Sequence, residues 1–507
     1  MNSIKILFAI GLLFFSNSIF AQQSTNTLHK LKTLIVFFDG LRPDYITPGQ
    51  MPNLYAFKQT AAYGKKHHSV FPTVTRVNAS SYATGSYPKS HGILGNAVYF
   101  PSVNKTQSLN TGSVTDMKKA MDAEHGQLLT AVSVGELLAK AGEKMMVFSS
   151  GSTGQAFLQN HTISGGAIIN TDTILPAAMQ QAVWNAIGKA PADMPDNRAR
   201  HAWVTDALFH FGFADNGPLV SAIWYSDPDG AAHEHGIGSP EAVESIKVVD
   251  EQFGRIINYL TEHDLLSIYN IIISADHGFV TYTGKESLTD FLIQQKFKKD
   301  KSSDDIIVAE GAIYVKDHNP KTIEAVVKSL QQQEWVGAIF TKGKKNGDMK
   351  GTVPGTLSFE AVHWNHPTRS GDILVDKNWN DNKNDKGYTG TGFSKGVAGH
   401  GSISPYEVHI ALIVSGPSFK KNHESNIPTS NVDIVPTLLF IHNINGYEKM
   451  DGRVMEELLS GIRKLPKPIT DVITTETKIN NLHYKLSLHS TKVGKNVYVD
   501  YAKVERY

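Results

Sequence analysis

Asp229 and His233 stand four residues apart in Asp-Gly-Ala-Ala-His, and Asp276 is followed directly by His277. His400 lies in Ala-Gly-His-Gly, where small neighbours allow close approach, and Asp39 closes an apolar run over 33–38. Three histidines and three aspartates are hard or borderline donors of the kind that hold Zn²⁺. Six donors exceed what one tetrahedral ion with an open position takes. They suit two ions, each completed by substrate or nucleophile, and two ions ~4 Å apart can clamp the attacking and leaving oxygens of a phosphoryl displacement. Singly, each residue has a plainer reading. An Asp after a strand is a turn or cap residue, and a lone His is a hydrogen-bonded side chain, so convergence alone makes a site.

The candidate nucleophile is Thr75, in Phe-Pro-Thr-Val-Thr. A threonine hydroxyl is a poor nucleophile at its free pKa and becomes an alkoxide when bound to a metal. If Thr75 opens a helix, the amides there also favour negative charge. The competing reading is an ordinary helix N-cap.

Such a set needs elements that end in one place. Apolar runs at 33–38, 145–148, 219–225, 271–273 and 408–414 read as buried strands. Helical patterns lie between them. One covers 130–141 before Gly142. Another opens at Ser239-Pro240 and carries Ile246, Val249, Phe253, Ile256, Ile257 and Leu260 on one face. The expected fold class is α/β, a doubly wound and mostly parallel sheet flanked by helices. In such sheets ligands sit beyond the carboxyl ends of the strands, where Asp39, Asp229 and Asp276 fall. Residues 378–396, rich in Asn, Asp, Lys and Gly, read as a flexible loop, and 464–468 as a linker. Alternation at Tyr484, Leu486, Leu488 and at Val497, Val499, Tyr501 around Gly494-Lys495-Asn496 predicts a small C-terminal β-hairpin extension. Its basic tail reads as a small sheet packed on the main domain, with a solvated charged face.

The chain has 507 residues, 49 basic against 48 acidic, which argues against a nucleic-acid partner. It has no cysteine, which excludes disulfides, thiol nucleophiles and Cys-held metals. Residues 1–21 carry a short charged start, an apolar run over 6–15 and a small residue at Ala21. That run is short of the ~20 residues a span needs and reads as a cleaved signal peptide. The expectation is a periplasmic or secreted protein with no membrane span after cleavage, a catalytic domain over 28–462 and a β extension over 463–507.

The motifs Phe38-Asp39-Gly40, Pro72-Thr73-Val74-Thr75, Ala83-Thr84-Gly85-Ser86-Tyr87-Pro88 and Ser90-His91-Gly92-Ile93 with Asn96 occur in order. Pro228-Asp229 to His233, Ala275-Asp276-His277-Gly278, Gly399-His400-Gly401 and the run 432–438 follow. In this ordered set the chain resembles the type I phosphodiesterase/nucleotide pyrophosphatase family of the alkaline phosphatase superfamily. The resemblance implies an alkaline phosphatase-like fold and two Zn²⁺ ions, one held by Asp229, His233 and His400. The other would be held by Asp39, Asp276, His277 and the Thr75 oxygen. It further implies a phospho-threonine intermediate and a side-chain donor to the phosphoryl group at Asn96. The substrate would be a small-molecule phosphate ester. His91 is read as structural. Lys65, Lys66, His67, His68 and His235 are read as solvated or supporting side chains.

One position departs from the pattern. The residue after the nucleophile is aromatic in nucleotide-cleaving members, and here it is Arg76. Arg76 is read as a substrate-binding residue that pairs with an extra anionic group; pointing into solvent or a structural ion pair is the plain alternative. A phosphomonoesterase or a phosphonate hydrolase on the same metals therefore stays open. A sulfatase does not fit, since Thr75 lies in no Cys- or Ser-centred Pro-x-Arg motif. A catalytically dead binding protein would lack a ligand or the nucleophile, and none is missing.

Overall fold

The structure is a computed structural model that describes residues 30–163, 165–194, 196–462 and 465–507. The signal-like segment 1–21 and Lys464 of the linker lie outside the described residues. Among the described residues no helix is long and apolar enough to cross a membrane.

Nine strands form the central sheet: β1 (Lys32–Phe38), β2 (Ala62–Gly64), β3 (Met145–Ser149), β4 (Ala167–Asn170), β5 (Thr173–Leu175), β6 (Val220–Tyr225), β7 (Tyr269–Ser274), β8 (Leu412–Ser415) and β9 (His423–Ser425). Their order is β9-β2-β8-β7-β1-β6-β3-β4-β5. The five strands from β7 to β4 run parallel, and β8 and β5 pair antiparallel at either side. β1 shows why. Its Leu34, Val36 and Phe38 enter one core and its Ile35 and Phe37 the opposite one. A strand apolar on both faces is stable only where helices cover both sides, the setting of a parallel sheet. The fold is thus α/β and doubly wound.

Register then sets the site. Phe38 pairs with Tyr225, and Phe37 with Ser274, so β1, β6 and β7 end together. Three helices matter here: α1 (Thr75–Thr84), α2 (Asp229–His235) and α3 (Pro240–Glu262). In α3 the Ser239 hydroxyl caps the Ala242 amide, Pro240 opens the first turn, and Ile246, Val249, Phe253, Ile256 and Leu260 are buried. The helix read over 130–141 starts later, at Val134–Lys140, because Ser133 and Glu136 form a capping box.

Three readings need correction. Residues 378–396 are no loose loop. Trp379–Lys383 and Thr389–Gly392 pair antiparallel, and the Asn384 side chain closes the turn by accepting from the Lys386 and Tyr388 amides. Its polar composition is turn chemistry. The run 408–414 is two strands, since His409–Ile410 pairs in a small separate sheet and β8 begins at Leu412. His67 and His68, beside two lysines, are not solvated. They form the middle strand of that small sheet, between His409–Ile410 and Thr429–Ser430, and are buried.

Between β7 and β8 the chain inserts a second sheet. Its strands Ile306–Ala309, Ala312–Val315, Ile373–Lys377, Val336–Thr341 and Leu357–Ser358 lie in that order. Leu288–Gln294 and Pro320–Gln331 pack on it around a core that includes Leu292, Val326, Leu330 and Ile339. At the C-terminus the expected hairpin, Leu482–Val493 with Asn496–Arg506, is joined by a third strand, Pro468–Ile479. Its Tyr484, Leu486, Leu488 and Ala502 share the main core.

Candidate active site

Asp39 emerges from β1 and Asp276 two residues beyond β7, so both point past the carboxyl edge of the sheet. The Trp224 indole donates to Asp39 Oδ2 at 3.0 Å. Asp276 Oδ1 accepts the Gly40 and His277 amides, each at 3.0 Å. Asp229 and His233 share one face of α2 at i, i+4 spacing. Donor atoms of Asp229, His233 and His400 lie within 4.8 Å of one another, and so do those of Asp39, Asp276 and His277. The first group is partly open and the second wholly buried.

The three imidazoles are set alike. His277 Nδ1 faces the Gly278 carbonyl at 3.1 Å, His233 Nδ1 that of Ala398 at 2.9 Å, and His400 Nδ1 that of Thr73 at 2.8 Å. A carbonyl can only accept, so each Nδ1 carries the proton and each Nε2 presents a lone pair inward. Around them Asp39 Oδ1, Asp229 Oδ1 and Asp276 Oδ2 are buried without a hydrogen-bond donor among the described residues. His233 Nε2 and His400 Nε2 stand 3.2 and 3.3 Å from Asp229 Oδ1, and His277 Nε2 3.1 Å from Asp276 Oδ2. Lone pairs facing carboxylate oxygens at such distances repel unless a cation lies among them. Burial first, then the charges of Asp276 and Asp229, push Asp39 well above the usual carboxylate range, and burial holds His400 down to about 4. Each donor group therefore fits a bound metal ion.

Thr75 is the first residue of α1, and Val74, not Thr75, is the cap. The Thr75 hydroxyl is 3.3 Å from His277 Nε2, at the edge of the buried group. Asn96 sits beside it. Its Oδ1 accepts the Arg76 amide at 3.1 Å, and its Nδ2 donates to no protein group among the described residues. Arg76 turns its guanidinium toward Gly112, leaves Nε without a partner and forms no ion pair among the described residues. The first turn of α1, Asn96 and both donor groups thus face one small volume. His91 hydrogen-bonds Ser81 within the core, and His235 is near Glu234 on the surface.

Two features went unread in the sequence. Asp227 accepts from Ala231 at the start of α2 and from His201, whose other nitrogen meets Ser150 at 2.9 Å. This relay anchors the helix that carries Asp229 and His233. Glu310, at the tip of the Ile306–Ala309/Ala312–Val315 hairpin, accepts the Asn96 amide at 2.9 Å. The Glu310-Gly311 turn between alternating apolar runs was the available signal for the hairpin, but nothing local pointed to Asn96. A cavity of about 520 Å³ opens beside the site, lined by His233, His400, Asn96, Glu310, Asp376 and Lys377 among others.

The sequence profile of the type I phosphodiesterase/nucleotide pyrophosphatase family matches residues 33–393. The chain belongs to that family. Ectonucleotide pyrophosphatase/phosphodiesterase family member 1 of Rattus norvegicus is 25% identical over 402 residues, 77% of this chain and 38% of that protein. The bis(5'-adenosyl)-triphosphatase enpp4 of Xenopus laevis is 24% identical over 427 residues, 82% of this chain and 78% of that protein. The match thus spans well under half the length of the rat relative. Among solved structures, murine ectonucleotide pyrophosphatase/phosphodiesterase 5, an inactive form in complex with AMP, superposes with a TM-score of 0.60 at 19% identity. It covers 85% of this chain and 100% of its own. A mutant of the alkaline phosphatase PafA gives a TM-score of 0.64 at 17% identity, covering 86% and 100%. Both share the α/β architecture described above.

Proposed function

We propose that the protein is a zinc-dependent hydrolase of small phosphate esters, of phosphodiesterase type, acting through a phospho-threonine intermediate outside the cytoplasm. The observation that carries this is the Thr75 hydroxyl, 3.3 Å from His277 Nε2 at the head of α1, at the edge of one of two three-donor groups whose carboxylates lack partners among the described residues.

Zinc held by Asp229, His233 and His400, and by Asp39, Asp276, His277 and the Thr75 oxygen, would supply Lewis-acid stabilisation of the attacking and leaving oxygens. The Thr75 oxygen attacks phosphorus in line, the bond to the leaving oxygen breaks, and phosphorus is carried on Thr75. The leaving oxygen departs as the alcohol with the Thr75 proton, and water then attacks from the vacated side, releasing the phosphate monoester of the retained group and restoring the Thr75 hydroxyl, with net retention at phosphorus. Asn96 donates its side-chain amide, which has no partner among the described residues, to a non-bridging oxygen, its orientation fixed by the Arg76 amide on Oδ1. The positive end of α1 favours the charge gathered there. The relatives' names point to nucleotide diesters. Arg76, whose Nε has no partner and whose guanidinium forms no ion pair among the described residues, favours a second reading, a phosphomonoesterase, because a monoester brings an extra negative charge.

The deciding experiment compares kcat/KM of the zinc-loaded protein on a chromogenic nucleotide diester, a bis-aryl phosphate diester and the matching aryl monoester, with Thr75→Ala as blank. Diesters leading supports the first reading. A monoester lead of about 100-fold, or ~2.7 kcal/mol of transition-state discrimination, establishes the second. Turnover undiminished in Thr75→Ala would remove both.

A further inference from the structure

A second groove, of about 370 Å³, lies between the strand Trp379–Lys383 and the last strand of the chain, Asn496–Arg506, with Pro405 beside them. It shares no lining residue with the cavity beside the catalytic site and none with the two donor groups. Its size is at the small end of ligand sites.

Two aromatic rings line it, Trp379 and Tyr501. Both are fixed by their neighbours. The Trp379 indole donates to the Ala502 carbonyl at 2.8 Å and meets Tyr406 and Tyr501 edge to face, at 6.2 and 6.1 Å. His489 stacks on Tyr501 at 4.2 Å, 13° from parallel. Rings held this way offer amphipathic contact area at little further cost in entropy.

The polar atoms of the groove are unevenly used. Asn378 is fully engaged, donating to the Glu334 carbonyl and accepting the Trp379 amide. Asn380 engages only its oxygen, which accepts from the Thr391 hydroxyl and the Asn382 amide. Asp381 engages one oxygen, which accepts the Tyr406 hydroxyl at 2.8 Å. Asn380 Nδ2, Asp381 Oδ2, the Tyr501 hydroxyl and the Lys503 ammonium have no partner among the described residues. Donors and acceptors are thus both on offer, and one carboxylate balances one ammonium. The balance favours a ligand without net charge. The Trp379 and Tyr501 planes stand 88° apart, so they form no slot to sandwich a flat heterocycle. Angled apolar surface edged with donors and acceptors suits a puckered ring whose C–H faces are apolar and whose hydroxyls both donate and accept.

We propose that this groove is a carbohydrate site, taking a neutral saccharide of one or two rings. Trp379 and Tyr501 receive its C–H faces, and Asn380, Asp381 and Lys503 its hydroxyls. The site is separate from the catalytic centre and does not depend on the hydrolase reading. Occupied, it would hold the protein to a glycan with the catalytic cavity left open.

The test titrates the full chain with four neutral disaccharides, cellobiose, maltose, lactose and N,N′-diacetylchitobiose, and with adenosine as the flat competitor. Each is taken to about 20 mM and followed by saturation-transfer NMR and calorimetry. At least one disaccharide should bind with a Kd of about 5 mM or tighter, and adenosine more weakly than it. Asp381→Ala and Lys503→Ala, at two exposed positions, should each weaken that sugar about tenfold with an unchanged melting temperature. Tyr501→Ala should weaken it at least as much. Absence of binding by all four sugars would overturn the proposal, as would adenosine binding tighter than every one of them. So would a sugar affinity that all three variants leave at the wild-type value.

Discussion

At the scale of single residues, the site is defined by atoms that lack partners. Asp39 Oδ1, Asp229 Oδ1 and Asp276 Oδ2 are buried without donors among the described residues, a cost of several kcal/mol that a bound cation removes. Stripping zinc with a chelator should therefore lower the melting temperature, and returning it should restore the loss. Saturation at ~1,000 times the dissociation constant corresponds to about 4 kcal/mol. A melting temperature indifferent to zinc would contradict the metal assignment. His67 offers a second test. Burial pushes its imidazole down to about 3 from an ordinary 6.5. The unfolded histidine takes up a proton below 6.5 and the folded one does not. Its share of stability is therefore complete above pH 6.5 and declines as pH falls, by at most ~1.4 kcal/mol per unit. The stability gap between wild type and His67→Gln should narrow from pH 7 to pH 5; parallel curves would show that His67 does not titrate this way.

At the scale of elements, the candidate ligands could be singled out because each sits within three residues of a strand end or on one helical turn. Local sequence encodes both arrangements. Asn96, 21 residues beyond Thr75, was singled out only through the family resemblance, and Arg76 as the departure from its pattern. Glu310 was not, since 214 residues separate it from Asn96 and only the folding of the insertion brings them together. His67 and His68 misled because their neighbours are lysines, while their burial is decided by strands from residues 409–430. The segment 378–396 misled because turn residues and loose loops share a composition. Close approach is the other property hidden from a single sequence. A Cβ at Gly278, next to His277, would run into the Tyr406 carbonyl, while Gly142 has open space but a φ of +77°. Gly278→Ala should cost about 2–4 kcal/mol and weaken zinc binding, and Gly142→Ala about 1 kcal/mol without touching the metal. Calorimetry with a zinc titration separates the two, and equal effects would refute the packing argument.

At the scale of the whole molecule, residues Leu31–Tyr507 form one compact unit. The C-terminal sheet contributes Tyr484, Leu486 and Leu488 to the main core, the Tyr484 hydroxyl donates to Gly337, and Trp379 donates to Ala502. The tail at 463–507 should accordingly unfold with the catalytic domain. Leu486→Ala, removing a fully buried side chain, should cost about 2–5 kcal/mol and shift one cooperative transition. A separate low-temperature transition would instead mark the sheet as its own domain. The chemistry hangs from the parallel sheet, whereas the cavity is roofed by the inserted one.

The way the three imidazoles are aimed has a consequence for how such a site survives divergence. Each proton on Nδ1 is received by the main-chain carbonyl of Thr73, Gly278 or Ala398. Every amino acid supplies that same oxygen, so the acceptor is inherited with the path of the chain and not with the letters written along it. Replacement at Thr73 or Ala398 can erase the side chain and leave the aim of the imidazole untouched. What must be kept is a curve in space and a handful of donors, which is a lighter burden of information than a network of matched side chains.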